Sequence, residues 1–301
     1  MKNQRKNMDY FQNKCYILSK FNKKYCFLLS KTVLSSIFKR GFTMFAEKMP
    51  QLQAVGESHM GCVRTQNEDN FFCISLYPGY CFAGVADGVG GHAAGEQASY
   101  LCCHRLILDW KELFKRTPEP DETLIASFLM NSVKEANNDI TGINRSQKLK
   151  YSPMCTTLAA AVFTPTMVIV VHVGDSRLYC CRKDDCRLLT IDHTVQNELT
   201  EQGVTDASKL PGAHVISKAI GTDRYLKPEM HTYFRTPEDR FLFCTDGLSN
   251  VMKDSEIKNI LTASASPRHA NDQLIREALR RRANDNVTVV SVFPENTIPQ
   301  N

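Results

Sequence analysis

The sequence predicts an α+β fold, a sandwich of two antiparallel sheets flanked by helices, and three patterns carry that expectation. Short β-rich runs come in a block at 156–163, 167–173, 177–181 and 187–191, split by Thr164-Pro165, Gly174-Asp175 and Lys183-Asp184-Asp185, which is the punctuation of a meander. Segments with helical spacing come in pairs, 96–114 with 121–142 and a second pair after Lys253. Strand and helix do not alternate one for one, as a parallel sheet of crossover units requires, so no dinucleotide fold is expected.

Residues 53–73 alternate weakly and read as one strand whose irregular middle, Arg64-Thr65-Gln66-Asn67-Glu68-Asp69, points acids at one rim; 82–86 is its expected neighbour. Over 96–114, Ala98, Leu101, Cys102 and Leu106 recur at helical spacing. Pro118-Glu119-Pro120 interrupts them, and Asp121 is placed to cap a second helix through Leu124, Phe128, Val133, Ala136 and Ile140, ending near Gly142. After the meander, 192–223 carries a short helix over 194–202 and then Gly203, Pro211-Gly212 and Gly221, with too little apolar pattern for a core. It reads as a surface flap. A strand to Thr245, a helix capped near Asp254 or Ser255, a helix over 267–282 and a strand over 287–293 complete the chain, which has no internal repeat.

The apolar run 82–86 ends in Asp87 and then in Gly88-Val89-Gly90-Gly91-His92. Alone, Asp-Gly is a common turn dipeptide. The device recurs, however: 241–245 ends in Asp246-Gly247 and 168–173 ends in Gly174-Asp175, while Glu68-Asp69 precedes Phe71-Phe72 and Asp285-Asn286 precedes Val287. Five strand ends with acids favour one shared site. Carboxylates gathered without basic partners oppose one another's ionisation, and divalent cations relieve that. Carboxylates, a backbone carbonyl and water suit Mg²⁺ or Mn²⁺, whereas the scarcity of His and Cys beside these acids argues against zinc or copper. Two ions need a bridging carboxylate.

Charge is uneven along the 301 residues. Residues 1–43 hold ten Lys or Arg against the single acid Asp9, a net of +9, while the whole chain is +5, so the rest is about −4. An acidic body offers little attraction to a polyanion, so no nucleic acid partner is expected and a metal-dependent nuclease is disfavoured. The extension 1–47 has its apolar runs broken by lysines, far short of the ~20 residues of a membrane span and without a signal-peptide core. Three readings stay open for it: a basic segment for anionic membranes, a targeting peptide, or a stretch upstream of a true start at Met44 or Met49. The body, 48–301, is expected in the cytoplasm as a monomer. Its cysteines lie within apolar runs and read as small buried hydrophobes, not a disulfide framework or a zinc site.

From Gly56 to Val292 the chain presents Arg-x-x-Asn-Glu-Asp at Arg64, Ala-Asp-Gly-x-Gly-Gly-His at Ala86, Thr-Thr-Leu at Thr156, Val-Gly-Asp-Ser-Arg at Val173, Thr-Asp-Gly-Leu at Thr245 and Asp-Asn-Val-Thr at Asp285. This series resembles the metal-dependent protein phosphatases of the 2C type, the compact bacterial members most of all. The resemblance implies a four-layer α-β-β-α sandwich with the metal site at one end of the sheets. It also implies hydrolysis of phosphoserine and phosphothreonine by a metal-bridging hydroxide. By it, Asp87 bridges two ions of Mg²⁺ or Mn²⁺, Glu68 and the Gly88 carbonyl help hold one, Asp246 and Asp285 hold the other, and Asp175 binds a third, weaker ion. Asp69 and Asn286 stand behind these ligands, and Arg64 clamps the substrate phosphate, a role its guanidinium fork suits; a structural ion pair is the plainer alternative.

Animal members carry a histidine after Asp-Gly where this chain has Val89; His92 matches the bacterial pattern instead. The leaving-group proton therefore comes from a metal-bound water or from a histidine, with His92 a weak candidate. His172 and His193 read as structural or flap residues. The implied partners are phosphorylated proteins and a cognate Ser/Thr kinase. The competing reading is a catalytically weak phosphoprotein-binding module of the same fold, which loss of a metal acid would signal; none is lost.

Overall fold

Strands buried on both faces have no polar side to show, which is why 158–163 and 241–244 read as unbroken apolar runs. The computed structural model describes residues 49–90, 93–149, 153–222 and 225–295; the expected extension 1–47 and His92 lie outside them. The order is β1 (Leu52–His59), β2 (Asp69–Tyr77), β3 (Tyr80–Val89), α1 (Ala93–Arg116), α2 (Glu122–Ser146), β4 (Cys155–Thr156), β5 (Leu158–Phe163), β6 (Met167–Val173), β7 (Arg177–Cys181), β8 (Cys186–Leu188), α3 (Val195–Glu201), β9 (Glu229–Phe234), β10 (Arg240–Cys244), α4 (Asp246–Ser249), α5 (Asp254–Ala263), α6 (Pro267–Arg280) and β11 (Val287–Pro294).

Two antiparallel sheets result, one ordered β1-β11-β10-β7-β8 and the other β2-β3-β5-β6-β9, with β4 paired to β3. Side-chain alternation sorts the strands into layers. On β3, Cys81, Ala83 and Val85 face the opposing sheet, while Phe82 and Ala86 face Leu106, Trp110, Leu129 and Val133 of α1 and α2. On β10, Phe241 and Phe243 face inward, while Leu242 and Cys244 meet Ile257 and Leu261 of α5 and Leu274 of α6. The four-layer α-β-β-α arrangement follows from these three apolar clusters.

Asp121 caps α2 as expected, accepting from the Leu124 N–H at 2.8 Å. The helix runs past Gly142 to Ser146, because that glycine faces open space and nothing there stops it. The largest departure concerns 53–73, which is two strands in different sheets, not one. Residues 60–68 form a loop between them, and Gly61 adopts φ +79° where a Cβ would stand 2.1 Å from the Asp285 carbonyl. Strand β9 is also absent from the sequence pattern: it is an edge strand, mostly half-buried or exposed, and lacks an apolar face. The flap is less superficial than expected, since Ile220 is fully buried and bridges back to Thr156. Cys181 and Cys186 form a disulfide, contrary to the reading of the cysteines as hydrophobes only; the β7–β8 register places them directly opposite.

Candidate active site

The strand ends bring the acids together. Asp69 opens β2 and Asp87 lies directly opposite it on β3. In the other sheet, Cys244 of β10 faces Val289 of β11, so Asp246, just beyond one strand, neighbours Asp285, just before the other. Gly247 makes that approach possible, because a Cβ there would come within 1.9 Å of the Asn286 carbonyl. Asp175 follows Gly174 at the end of β6.

The backbone of Asp87 is fixed by the Thr-Thr-Leu segment. Its N–H donates to Thr157 Oγ1 at 3.0 Å, and its carbonyl accepts from Thr156 Oγ1 and the Thr157 N–H, each at 2.9 Å. The side chain of Asp69 reaches across to the other sheet, accepting from Thr245 Oγ1 at 2.8 Å. Asn286 spends its amide on the 60–68 loop: Nδ2 donates to the Met60 and Gln66 carbonyls at 3.0 and 2.9 Å, and Oδ1 accepts the Glu68 N–H at 2.8 Å. Glu68, 9% exposed, sends its carboxylate against bare backbone, where a Cβ on Gly95 would lie 2.4 Å from Oε2. Sequence reasoning missed Asn250, whose Nδ2 donates to Asp246 Oδ2 at 2.9 Å. Its spacing, four residues along α4, was the available signal.

The electrostatics are those of crowded acids. Desolvation, then Asp69, Asp246, Asp175 and Asp285, pushes the Asp87 carboxyl well above the usual range. Burial pushes Asp69 up to about 7 against the hydrogen bonds from Thr288 and Thr245, and burial with Asp246 and Asp192 takes Asp175 to about 7. Asp246 is raised by burial and then by Asp285. Arg64, 49% exposed at its side chain, places Nη2 2.7 Å from Asp285 Oδ2. The Oδ1 atoms of Asp246 and Asp175 are buried without a hydrogen-bond partner among the described residues. Mutually destabilised carboxylates, oxygen-only donors and two orphaned oxygens fit divalent cations. Glu68, Asp87, Asp246, Asp285 and Asp175 are the side chains that could hold them.

Solved structures similar to this chain include bacterial serine/threonine phosphatases. The enzyme of S. agalactiae superposes with a TM-score of 0.74 at 29% identity, over 81% of this chain and 100% of its own. Among curated relatives, the serine/threonine phosphatase stp of Listeria innocua is 33% identical over 239 residues, 77% of this chain and 92% of that protein. The serine/threonine protein phosphatase PstP of Mycobacterium tuberculosis is 34% identical over 243 residues, 79% of this chain and 44% of that protein. A family model, protein phosphatase 2C, matches residues 55–282. The chain belongs to the protein phosphatase 2C family.

Proposed function

We propose that this protein hydrolyses phosphoserine and phosphothreonine in proteins at a centre whose ligands are Glu68, Asp87, the Gly88 carbonyl, Asp246 and Asp285, for two ions of Mg²⁺ or Mn²⁺, with Asp175 serving a third, weaker position. Family membership makes the chain a protein-serine/threonine phosphatase. The residue roles rest on one observation: Asp87 stands among four other carboxylates, Asp69, Asp246, Asp175 and Asp285, which outnumber the bases near them, Arg64 and Arg177.

Bound divalent ions supply a water acidified from ~15.7 towards ~7 as nucleophile, together with charge that neutralises the phosphate. The protein does the rest. Asp87, its backbone held by three hydrogen bonds, would offer its carboxylate to the ions. Arg64 presents a two-pronged donor at the exposed rim, and its present partner Asp285 keeps it aimed at the centre. Asp69 and Asn286 hold the two sheets and the 60–68 loop in register around the ligands.

The substrates on this reading are phosphoproteins of a cognate Ser/Thr kinase, and the enzyme works as a cytoplasmic monomer. No helix among the described residues is long and apolar enough to cross a membrane. The deciding experiment is hydrolysis of a phosphothreonine peptide by metal-stripped protein, with and without added Mn²⁺ or Mg²⁺, alongside Asp87→Asn. Turnover that needs metal and disappears in the variant is expected. An Asp87→Asn enzyme with wild-type turnover sinks the assignment.

A further inference from the structure

At the foot of the flap, a second constellation fills the space between β6, residue 193 and β9. His193 is tied to its surroundings through its backbone and its ring. Its N–H donates to the Gly174 carbonyl at 2.7 Å, and its carbonyl accepts the Ser217 N–H at 2.9 Å. Its Nδ1 accepts the Gly174 N–H at 3.0 Å, and its Nε2 lies 2.9 Å from Glu229 Oε1. A backbone N–H can only donate, so Nδ1 carries the lone pair and the proton of the neutral ring is on Nε2, directed at Glu229. The ring stacks on His172, centroids 4.8 Å apart and 23° from parallel. Lys218 Nζ, 3.9 Å from Oε1, and His231 Nε2, 3.7 Å from Oε2, complete the surroundings of Glu229.

His172, His193 and Glu229 hold candidate ligand atoms within 4.8 Å of one another, a grouping that invites a transition-metal reading. The tautomer argues against it. A protonated Nε2 has no lone pair for a metal unless the Gly174 hydrogen bond is surrendered. His172, 1% exposed, is held down to about 3 by burial and by His193, and serves as a neutral surface under the ring.

Gly174 is where this clasp meets the active centre. It adopts φ +101°, and a Cβ would stand 2.6 Å from Thr157 Cγ2, so only glycine fits. His193 holds both its N–H and its carbonyl. The next residue is Asp175, and Ser176 Oγ after it shares a 2.7 Å hydrogen bond with Thr157 Oγ1, the atom that accepts the Asp87 N–H. The Gly174–Ser176 turn thus stands between His193 and the Thr157 hydroxyl that receives the Asp87 N–H. The same histidine anchors the flap, whose return strand pairs through Thr194 and Ile216.

We propose that His193, oriented by Glu229, is a positioning residue that locks the Gly174–Asp175 turn and the root of the flap into one unit, and thereby sets how well the enzyme takes a phosphorylated polypeptide. This rests on the proposed function above, and on the flap reaching the centre where Ile220 bridges to Thr156, whose Oγ1 donates to the Asp87 carbonyl. His193 touches neither phosphate nor the ligands of the two-ion centre. A substrate without a polypeptide chain does not feel it.

The test compares the full chain with His193→Phe, His193→Gln and Glu229→Gln, at saturating Mn²⁺, on p-nitrophenyl phosphate and on a phosphothreonine peptide. Phe keeps the ring and its stacking but loses the hydrogen bond from Gly174 and the contact with Glu229. It is expected to raise KM for the peptide about tenfold or more, the scale of a small misplacement, and to leave kcat for the aryl phosphate within about twofold. Gln, able to accept from Gly174 and donate toward Glu229, restores most of the peptide KM. Glu229→Gln, which keeps an acceptor, falls between and decides the matter if the Phe variant does not fold. Equal losses on both substrates, or no change in peptide KM, overturn the proposal. So does one tightly bound Zn²⁺ per chain that disappears in His172→Ala. Loss of the two-ion reading shows itself separately, as full aryl phosphatase activity in Asp87→Asn.

Discussion

Strand β10 has an aspartate beyond each end, and the protein treats the two in opposite ways. Asp239, before the strand, is 1% exposed and fully answered: Arg182 donates from Nε, and Thr236 donates from its N–H at 2.7 Å and its Oγ1 at 2.9 Å. Asp246, after the strand, has Asn250 on one oxygen, nothing on the other, and Asp285 beside it. The five residues of β10 and Thr245 separate them. A carboxylate removed from water costs free energy unless a partner compensates. At the closed end a cation of the chain pairs directly with the acid, whereas at the open end Arg64 bonds Asp285 and leaves Asp246 without an ion pair of its own among the described residues. Clustered acids that outnumber their bases mark a site completed from outside the polypeptide.

The comparison is broken most directly by the same substitution at both ends. Asp246→Asn should lower kcat for a phosphothreonine peptide by about 10³-fold or more, roughly 4 kcal/mol of transition-state stabilisation, while Asp239→Asn leaves kcat of the folded enzyme near wild type. Steady-state kinetics with Mn²⁺ decides it, and comparable losses at both ends would remove the distinction.

Stability should respond in the opposite sense. Urea unfolding of Asp239→Asn is expected to show a loss of about 3 kcal/mol, the low end for a broken buried pair because Arg182 is 35% exposed. Asp246→Asn, measured on metal-stripped protein, should raise the midpoint, since it removes one of several mutually repelling charges. Metal at about a hundred times its Kd should stabilise the wild type by about 2.7 kcal/mol, and the Asp246 variant by less.

Acidity sharpens the contrast further. Asp69 and Asp175 are raised to about 7, so between about pH 4, the ordinary value, and pH 7 the folded metal-stripped protein binds more protons than the unfolded chain. Stability therefore falls as pH rises through that window, the reverse of an aspartate held by arginine. Urea midpoints at pH 5 and 7.5 test the sign, and Mn²⁺ should restore the value at 7.5. A midpoint that rises with pH contradicts the picture of uncompensated acids.

The smallest effect belongs to a position at neither end. Gly142 lies inside α2 facing open space, so Gly142→Ala should stabilise by about 0.5–1 kcal/mol in thermal or urea unfolding and leave kinetics alone.

Much of the site was legible because apolar strands that stop at acids are local patterns. Asp87, Asp246, Asp175 and Asp285 each announce themselves within a few residues, and so does the cap at Asp121. What was not legible depends on distant partners. The 60–68 loop looks like strand until Asn286, more than 200 residues away, takes the Met60 and Gln66 carbonyls. His193 carries no pattern at all; its role exists only once β6 and β9 bring Gly174 and Glu229 to its two ring nitrogens. The Cys181–Cys186 bridge was hidden differently, since the hairpin was visible but its register was not.

The pairing of β1 with β11 sets Leu52 opposite Pro294, and the Glu295 N–H donates to the Gln51 carbonyl at 2.8 Å. The described chain thus begins and ends at one corner, while the acids lie beyond the other end of the same strands, past His59 and before Val287. Topologically this is a nearly closed loop. A circular permutant of residues 49–295 that joins these two described ends by a short linker and opens instead between α5 and α6 keeps every strand pairing among the described residues.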